Sequence, residues 1–305
     1  MILETNKICV LLAAHNGEKW LPYQLDSILA QKKVEVDIFI NLDLSFDRSL
    51  EIISKFKAAH KNIKIINTKK RFGSAAQNFF YLLRNINFNK YDYISLSDQD
   101  DIWFKNKLFT AVKYLKNSKY SGYASNVLIY KNSIVKSLLV KSQNQRKYDY
   151  FFEGGGPGCT IVLPRVIAQD IQKNIKNNTK FIKKLIFHDW YIYFFVRSSN
   201  KNWFIDKKPS MLYRQHNTNV LGANLTLKSY FNRFHFIFSG KLKEQIELLC
   251  SCCIKSIDNE CKLNFKSKNS SIFFFISNFT QFRRKKIDQF IFLFLIIFLF
   301  LIKRI

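Results

Sequence analysis

The sequence predicts an α/β protein with a mostly parallel β-sheet, helices on both faces of the sheet, and a helical C-terminal extension. Two observations predict this. In the first hundred residues, short apolar runs alternate with segments whose apolar residues recur at helical spacing, which is typical of parallel strands joined by helices. After residue 225 this alternation of strands and helices stops, and the sequence becomes basic and apolar with helical character. We therefore predict an α/β domain over residues 1–225 and a basic helical region over 226–305.

Four strands and three helices are predicted in the first hundred residues. The strands are Lys7–His15, Val34–Asp43, Ile63–Lys69 and Tyr91–Ser97, and the helices cover 18–31, 47–59 and 75–86. Because the strand runs are short, apolar and separated by helices, they are expected to be buried in a parallel sheet. The first of them lacks the pattern of a secretory leader and is expected to be a buried strand.

The pattern is less regular beyond about residue 120. A glycine-rich loop at 153–158 precedes an apolar strand, an apolar helix begins near His188, and residues 202–216 are predicted as a strand followed by a loop. The glycine loop has neither the strand–GxGxxG–helix setting of a dinucleotide fold nor a P-loop lysine. It indicates either a close backbone approach to a ligand or a plain turn.

The chain carries 49 Lys and Arg against 22 Asp and Glu, a formal charge of +27. Such an excess is compatible with nucleic acid, an anionic membrane surface or phosphate-bearing ligands. From Thr226 onward there are 14 basic and 5 acidic residues, so the excess is spread along the chain. Cys250, Cys252, Cys253 and Cys261 do not match a paired zinc pattern, and buried reduced thiols are favoured over a zinc site.

The C-terminal tail combines a basic cluster with an apolar run. FRRKK (Phe282–Lys286) precedes thirteen apolar residues, Phe290–Ile302. That run is shorter than the roughly 20 residues a helix needs to cross a bilayer. It favours shallow insertion at a negatively charged membrane surface, with a buried core or oligomer helix as the alternative.

Polar residues follow three of the predicted strands. Asn16–Glu18 follow the first strand, Asp43 the second, and Asp98–Asp101 the fourth. Ligands bind at the carboxyl ends of strands in such sheets, so these residues are expected to converge. Closely spaced carboxylates repel one another unless a cation compensates their negative charge, and Mg²⁺ or Mn²⁺ accepts such oxygen ligands. A solvated acidic turn is the alternative.

Four motifs occur in order between Lys7 and Ala223: LLAAHNGEKWLPYQLDSILAQ, SLSDQDDIW, HDWYIYFF and YRQHNTNVLGA. They resemble the ordered motifs of family-2 glycosyltransferases, and specifically a bacterial, rhamnosyltransferase-like branch that acts on cell-surface polysaccharides. This resemblance implies a GT-A fold, a nucleotide-diphospho-sugar donor, Mn²⁺ or Mg²⁺, and inversion at the anomeric carbon.

The resemblance also implies roles for individual residues. Asp98 and Asp100 would ligate the metal, with Asp101 in support and His216 as a further metal or phosphate contact. The implied nucleotide-sugar contacts are His15, Asn16, Gly17, Glu18, Asp43, Arg71, Gly73, Asp98 and Arg214. Leu42 and Leu44 depart from the family pattern, which usually has an acid and a glycine there.

Asp189 matches the catalytic acid of the family and is the candidate general base. An attacking hydroxyl must lose its proton to a carboxylate within hydrogen-bond reach, and apolar neighbours would raise the basicity of Asp189. The alternative is a carboxylate that only serves the helix dipole. His188 is expected to be a neighbour that supports the site.

The resulting hypothesis is an inverting, metal-dependent glycosyltransferase acting on a lipid-linked surface glycan such as O-antigen or capsule. It would sit peripherally on the cytoplasmic side of a bacterial inner membrane. One alternative is a basic nucleic-acid-binding protein, but the sequence lacks aromatic-interleaved basic motifs and no nucleic-acid partner is expected. The other is a non-catalytic membrane scaffold, which only Leu42 and Leu44 support.

Overall fold

The computed structural model describes residues 5–66, 71–116, 119–216, 235–253 and 272–301. Its strands are β1 (Lys7–Ala14), β2 (Glu35–Leu42), β3 (Ile63–Ile66), β4 (Tyr93–Ser97), β5 (Ile102–Trp103), β6 (Tyr123–Ser125), β7 (Val127–Lys131), β8 (Ile134–Leu139), β9 (Val162–Pro164), β10 (Phe204–Asp206) and β11 (Met211–Arg214). Its helices are α1 (Leu21–Leu29), α2 (Ser49–Ala59), α3 (Ala75–Asn85), α4 (Lys107–Leu115), α5 (Arg165–Asn177), α6 (Thr179–Ile182), α7 (His188–Ser198), α8 (Lys241–Cys252), α9 (Ile272–Ser277), α10 (Phe279–Phe282) and α11 (Lys286–Leu301).

The main sheet has seven strands in the order β10-β6-β9-β4-β1-β2-β3. Strands β3, β2, β1 and β4 are parallel, and β9 runs antiparallel between β4 and β6. The pairing places Leu12 beside Ser97 and Ala14 beside Leu42, so the carboxyl ends of three strands meet at one edge. The predicted mostly parallel sheet is confirmed.

Helices cover both faces of this sheet, as predicted. Cys9, Leu11 and Ala13 of β1 point into one buried cluster, whereas Ile8 and Val10 point into the other. The first cluster includes buried residues of α3, α5 and α7, and the second includes those of α1 and α4. Since β1 is apolar on both sides, it belongs at the centre of the sheet.

A second sheet, β5-β11-β7-β8, was not predicted. Residues 202–216 form two strands and not one, because the turn at Lys207–Pro209 separates β10 in the main sheet from β11 in the second. Strand β8 is largely exposed, so its residues lack the apolar alternation that marks a half-buried strand. This small sheet brings the end of β11 to the residues that follow β4.

The C-terminal region is helical, as expected, and packs on the main domain. Leu249, Phe282 and Phe292 are buried in the same cluster as the helices behind the sheet. The predicted boundary at residues 225 and 226 falls outside the described residues. Within the part of the chain that is described, no helix is both long and apolar enough to cross a membrane.

The five cysteines in the described ranges are buried free thiols, as predicted. Cys250 and Cys252 lie on α8, and Cys253 follows directly. Cys261 lies outside the described residues.

Candidate active site

The loop that follows β1 is bound to the loop that follows β2. The amide of Asn16 donates to Ser45 Oγ at 3.0 Å, and Asn16 Oδ1 accepts from the amide of Phe46 at 2.9 Å. The amide of Gly17 donates to Ser49 Oγ at 2.7 Å. Asn16 has a φ of 45°, a left-handed conformation that asparagine tolerates better than most residues. The exposed loop Asn16–Glu18 is therefore fixed before any ligand binds.

Glu18 and Asp47 complete this connection. Glu18 Oε2 accepts from the amide of Arg48, and the amide of Glu18 donates to Asp47 Oδ2, both at 2.9 Å. Although burial opposes it, hydrogen bonds from Ser49 and Glu18 lower the pKa of Asp47. One carboxylate oxygen of Glu18 is thus already used to hold the loop, and its predicted nucleotide contact stays a prediction.

Asp43 organises the loop that follows β3. Its side chain is buried; Oδ1 accepts from the amides of Leu44 and Phe72 at 2.8 Å, and Oδ2 accepts from the amide of Gly73 at 3.0 Å. Gly73 has a φ of +73°, which favours glycine. The structure therefore brings Gly73 and the neighbouring, exposed Arg71 to Asp43, as expected for residues of one site.

His15 meets the acidic loop after β4 through its backbone. The amide of His15 donates to Gln99 Oε1 at 2.8 Å, and Gln99 Nε2 donates to the carbonyl of His15 at 2.9 Å. A β-carbon on Gly17 would overlap the side-chain amide of Gln99 and displace it from its bonds to His15. The loops after β1, β2, β3 and β4 therefore converge at one edge, which is the arrangement predicted from the sequence.

Asp98 and Asp101 form a compact group with Cys159, in which the three possible ligand atoms lie within 4.8 Å of one another. Burial, with the charges of Asp100 and Asp189 adding to it, raises the pKa of Asp98 to about 7. Burial raises the pKa of Asp101 well above its usual range, and nearby Asp100 and Asp98 add to the effect. Both pKa values rise because negative charge is unfavourable at these positions without a cation. A divalent ion would compensate that charge, so the carboxylates suit such an ion.

Asp101 faces inward and fixes the end of β11. Its Oδ1 accepts from the amide of Arg214 at 3.2 Å, and its own amide donates to Gln24 Oε1 at 2.9 Å. Asp101 is fully buried, whereas the side chain of Asp100 is 13% exposed. Asp98 is also partly exposed, so Asp98 and Asp100 are the carboxylates that a ligand from solvent can reach.

Sequence reasoning missed two residues beneath the acids, Cys159 and Lys107. Cys159 precedes β9, whose antiparallel pairing with β4 brings it to Asp98. Lys107 Nζ lies 3.4 Å from the centre of the Trp103 ring, and burial lowers the pKa of Lys107 to about 7. The contact of Cys159 with Asp98 depends on pairing between distant segments and has no signal in the spacing along the chain. Lys107 lies only four residues after Trp103, but that spacing alone does not reveal that its ammonium group is buried.

Arg214 and His216, predicted to act at this site, do lie at the acidic loop. Arg214 Nε donates to the carbonyl of Asp100 at 2.8 Å, and His216 Nε2 lies 2.7 Å from Asp100 Oδ2. The Arg214 guanidinium lies over the Trp20 ring, 4.2 Å from its centre, and the His216 ring stacks on Trp20. Trp20, which was also missed, thus supports both residues, and it does so from the turn just before α1.

Asp189 lies in the first turn of α7 and faces the glycine loop. Its Oδ1 accepts from the amide of Trp190 at 2.9 Å. A β-carbon on Gly154 would lie 3.7 Å from Asp189 Oδ2, and one on Gly158 would lie 3.2 Å from Asp189 Cβ and 2.9 Å from His188 Nε2. The glycine loop is therefore a close backbone approach, and its lack of side chains keeps the surroundings of Asp189 open.

His188 is packed behind Asp189. Its ring stacks on Phe79 with centroids 4.1 Å apart, and burial lowers the pKa of His188. A neutral imidazole against an aromatic ring fits the expected supporting role. Together these elements place a candidate base, a carboxylate pair and an arginine at one edge of the sheet.

Two comparisons by sequence bear on this site. The sequence profile described as glycosyl transferase family 2 matches residues 9–291, which extends well past the four motifs. The chain is 38% identical over 279 residues to the dTDP-rhamnosyl transferase RfbG of Shigella flexneri, covering 91% of this chain and 96% of that protein. It is 24% identical over 165 residues to the UDP-Glc:alpha-D-GlcNAc-diphosphoundecaprenol beta-1,3-glucosyltransferase WfaP of Escherichia coli, covering 54% and 63% of the two chains.

Comparisons of the structure agree on the fold. TarS residues 1–349 of S. aureus superpose with a TM-score of 0.56 at 14% identity, covering 94% of this chain and 78% of that one. The mannosyltransferase PcManGT of Pyrobaculum calidifontis, in complex with GDP-Man and Mn²⁺, superposes with a TM-score of 0.50 at 10% identity, covering 98% and 87%. The GT-A fold expected from the motifs is confirmed.

Proposed function

The chain belongs to glycosyl transferase family 2 and is a rhamnosyltransferase-like glycosyltransferase, and from that premise we propose that it is metal-dependent and transfers a sugar, with inversion, to a lipid-linked surface glycan. The 38% identity to a dTDP-rhamnosyl transferase makes dTDP-rhamnose the first donor to test. The single observation that carries the proposal is the convergence of Asp98, Asp100 and Asp189 at one sheet edge, where burial, with the charges of the last two adding to it, raises the pKa of Asp98.

Asp98 and Asp100 would hold Mn²⁺ or Mg²⁺, with His216 beside Asp100. Burial raises the pKa of Cys159 well above its usual range, so its thiol is neutral and a poor ligand for such an ion. When bound, the cation compensates the charge that develops on the departing nucleoside diphosphate. Arg214 adds a planar donor suited to phosphate oxygens, and Trp20 limits its orientation.

The proposed nucleotide contacts come from the four joined loops. His15, Asn16 and Glu18 are exposed on the loop after β1, and Arg71 is exposed after β3. Asp43 and Gly73 set the shape of the loops between them. This pre-ordered backbone would orient the donor with little loss of entropy on binding.

Asp189 is the proposed general base. It would accept the proton of the acceptor hydroxyl as that oxygen attacks the anomeric carbon, and the bond to the diphosphate breaks on the opposite side. Because Oδ1 accepts from Trp190, Oδ2 is the oxygen proposed to take the proton. The glycine loop faces Oδ2 and leaves room for the acceptor.

We place the enzyme on the cytoplasmic surface of a bacterial cell membrane. Large apolar residues of α11 are exposed: Ile287, Phe290, Ile291, Phe294, Ile297, Phe298, Phe300 and Leu301. The exposed residues Lys285 and Lys286 lie at its start. An apolar helix with basic residues beside it suits an anionic lipid surface, and the likeness to WfaP supports a diphospholipid-linked acceptor.

The direct test is release of nucleoside diphosphate from dTDP-, UDP- and GDP-sugars, with Mn²⁺, Mg²⁺ or a chelator, and with a lipid-linked acceptor. We expect turnover with one donor, lost on chelation and in Asp100→Ala. Donor turnover would exclude a non-catalytic scaffold. No donor binding with any metal, together with salt-dependent binding of RNA or DNA, would favour the nucleic-acid alternative.

A further inference from the structure

The segment between α10 and α11 reaches the glycine loop through Arg284. The amide and Nε of Arg284 donate to the two carboxylate oxygens of Glu153, each at 2.9 Å. Its Nη2 donates to the carbonyl of Gly154 at 2.7 Å. The Arg284 side chain is 1% exposed, so these bonds form in a region shielded from solvent. One residue of the C-terminal region therefore fixes the backbone beside Asp189.

A second layer joins Arg284 to the helix that carries Asp189. Asp149 is fully buried, and one of its oxygens lies 3.8 Å from Arg284 Nε. The hydroxyl of Tyr193 lies 3.0 Å from both oxygens of Asp149, and Arg197 Nη1 lies 3.4 Å from one of them. Because Tyr193 and Arg197 belong to α7, the hydrogen bonds and ion pairs of Asp149 and Arg284 connect that helix, the glycine loop and the C-terminal segment.

Arg283 extends the same connection to α11. Its Nη1 donates to the carbonyl of Phe152 at 2.8 Å, and its Nε lies 3.1 Å from Glu153 Oε1. Its Nη2 lies 3.4 Å from Asp288, a residue in the first turn of α11. The helix with the exposed apolar face is thus tied through two arginines to the loop at the candidate base.

The glycine loop depends on such external bonds. Gly154, Gly155 and Gly156 have no side chains with which to hold their conformation, and glycine backbone is the least restricted of all. The carbonyl of Gly154 is held by Arg284, and that of Gly155 by Trp203 Nε1 at 2.9 Å. Loss of the first bond frees Gly154, where an added β-carbon would lie 3.7 Å from Asp189 Oδ2.

We propose that Arg284 is a positioning residue for the transfer reaction: its bonds to Glu153 and Gly154 hold the glycine loop in register with Asp189. The effect on turnover rests on the proposed function of Asp189. The C-terminal segment is, on this proposal, part of the working active site and not only an anchor.

The kinetic test uses full-length Arg284→Lys and Arg284→Met, with Arg84→Met as an exposed control. Lysine keeps the charge and the backbone amide, but it lacks the planar fork whose Nε and Nη2 bind Glu153 and Gly154 together. We expect kcat to fall by about 10- to 100-fold in Arg284→Met and by less in Arg284→Lys, with donor KM within about twofold, since a misplacement of about 1 Å costs up to about 100-fold. A lower melting temperature with wild-type kcat in Arg284→Lys would overturn the proposal.

A second measurement does not depend on activity. The chain has four tryptophans. With 5-fluorotryptophan incorporated, the ¹⁹F resonance of Trp203, assigned with Trp203→Phe, reports on the glycine loop that this indole binds. We expect it to shift or broaden in both Arg284 variants and to stay unchanged in Arg84→Met. An unchanged Trp203 signal in folded Arg284 variants would reject the positioning role. If the wild type is inactive but the Trp203 signal still shifts in the Arg284 variants, only the proposed function is rejected.

Discussion

The imidazole Nε2 of His216 lies 2.7 Å from Asp100 Oδ2, although 116 residues separate them in the chain. The contact joins the end of β11 to the acidic loop that follows β4. It makes His216 the side chain that orients Asp100, one of the two proposed metal-binding carboxylates.

Replacement of His216 by alanine is expected to weaken Mn²⁺ binding. Groups that orient a ligating carboxylate typically contribute about 10- to 100-fold in metal affinity. Isothermal titration of wild type and His216→Ala with Mn²⁺ measures the change, and His60→Ala, a histidine packed on Phe56 at the end of α2, is the control. Equal affinities in all three proteins would show that His216 has no part in the metal site.

Asp189→Asn is expected to remove the general base while leaving donor binding intact. The amide keeps the shape and can still accept from the Trp190 amide, but it cannot take up a proton. We expect kcat to fall by about 10²- to 10⁴-fold, with donor KM unchanged. Asp170→Asn, which changes a surface carboxylate paired with Lys201, should retain full turnover. Wild-type kcat in Asp189→Asn would assign the base to another group.

Gly158→Ala and Gly154→Ala test whether the glycine loop needs glycine because its backbone lies close to His188 and Asp189. The added carbon at Gly158 would lie 2.9 Å from His188 Nε2 and 3.2 Å from Asp189 Cβ, whereas at Gly154 it would make an ordinary contact of 3.7 Å. We expect Gly158→Ala to lower the melting temperature and kcat, and Gly154→Ala to do so much less. Thermal unfolding and initial rates measure both, and equal effects would contradict the described packing.

Lys107 is expected to make stability rise with pH above neutrality. Burial lowers its pKa to about 7 from 10.5, so between these values the unfolded chain binds the proton that the folded chain has lost. The free energy of unfolding should therefore rise from pH 7 to 10, by at most about 1.4 kcal/mol per pH unit. Lys107→Met should have a flatter profile in denaturant unfolding, whereas exposed Lys105→Met should follow wild type. Parallel profiles for wild type and Lys107→Met would refute this titration.

The apolar face of α11 is expected to bind anionic lipid. Phe290 and Phe294 are 63% and 65% exposed, and burying each in a membrane is favourable by about 1.5–3 kcal/mol. Replacing both by serine should weaken sedimentation with phosphatidylglycerol-containing vesicles by at least about 100-fold. Val166→Ser, at an exposed position on α5, is the control. Undiminished vesicle binding by the double variant would place the membrane contact elsewhere or exclude it.

The sequence predicted the parts of the fold that local pattern determines. The alternation of apolar runs and helical segments located the first four strands. Because ligands bind at the carboxyl ends of parallel strands, Asn16, Asp43 and Asp98, which follow three of these strands, were expected at one edge of the sheet, and they lie there. Asp189 was found through its motif, since a single acid at a helix start has no distinctive spacing of its own.

Two of the residues that sequence reasoning missed, Cys159 and Trp20, are defined by pairing between distant segments. Cys159 reaches Asp98 only because β9 is antiparallel to β4, and Trp20 meets Arg214 only because β11 pairs with β5. Arg284 lay in a basic cluster interpreted as lipid-facing, yet its side chain is buried against Glu153. A charge run along the sequence does not reveal which of its members points inward.

The buried partnership of Arg284 with Asp149 and Glu153 sets a limit on how the protein can be shortened. Removing the apolar last helix would be expected to improve solubility, but truncation ahead of residue 283 would also remove both arginines that pair with Glu153 and one of the two that pair with Asp149. Leaving such a buried acid unpaired typically costs about 3–5 kcal/mol, a large share of an ordinary protein's stability. A truncated variant that ends after α10 should therefore aggregate sooner than the full-length protein, although it lacks the apolar helix.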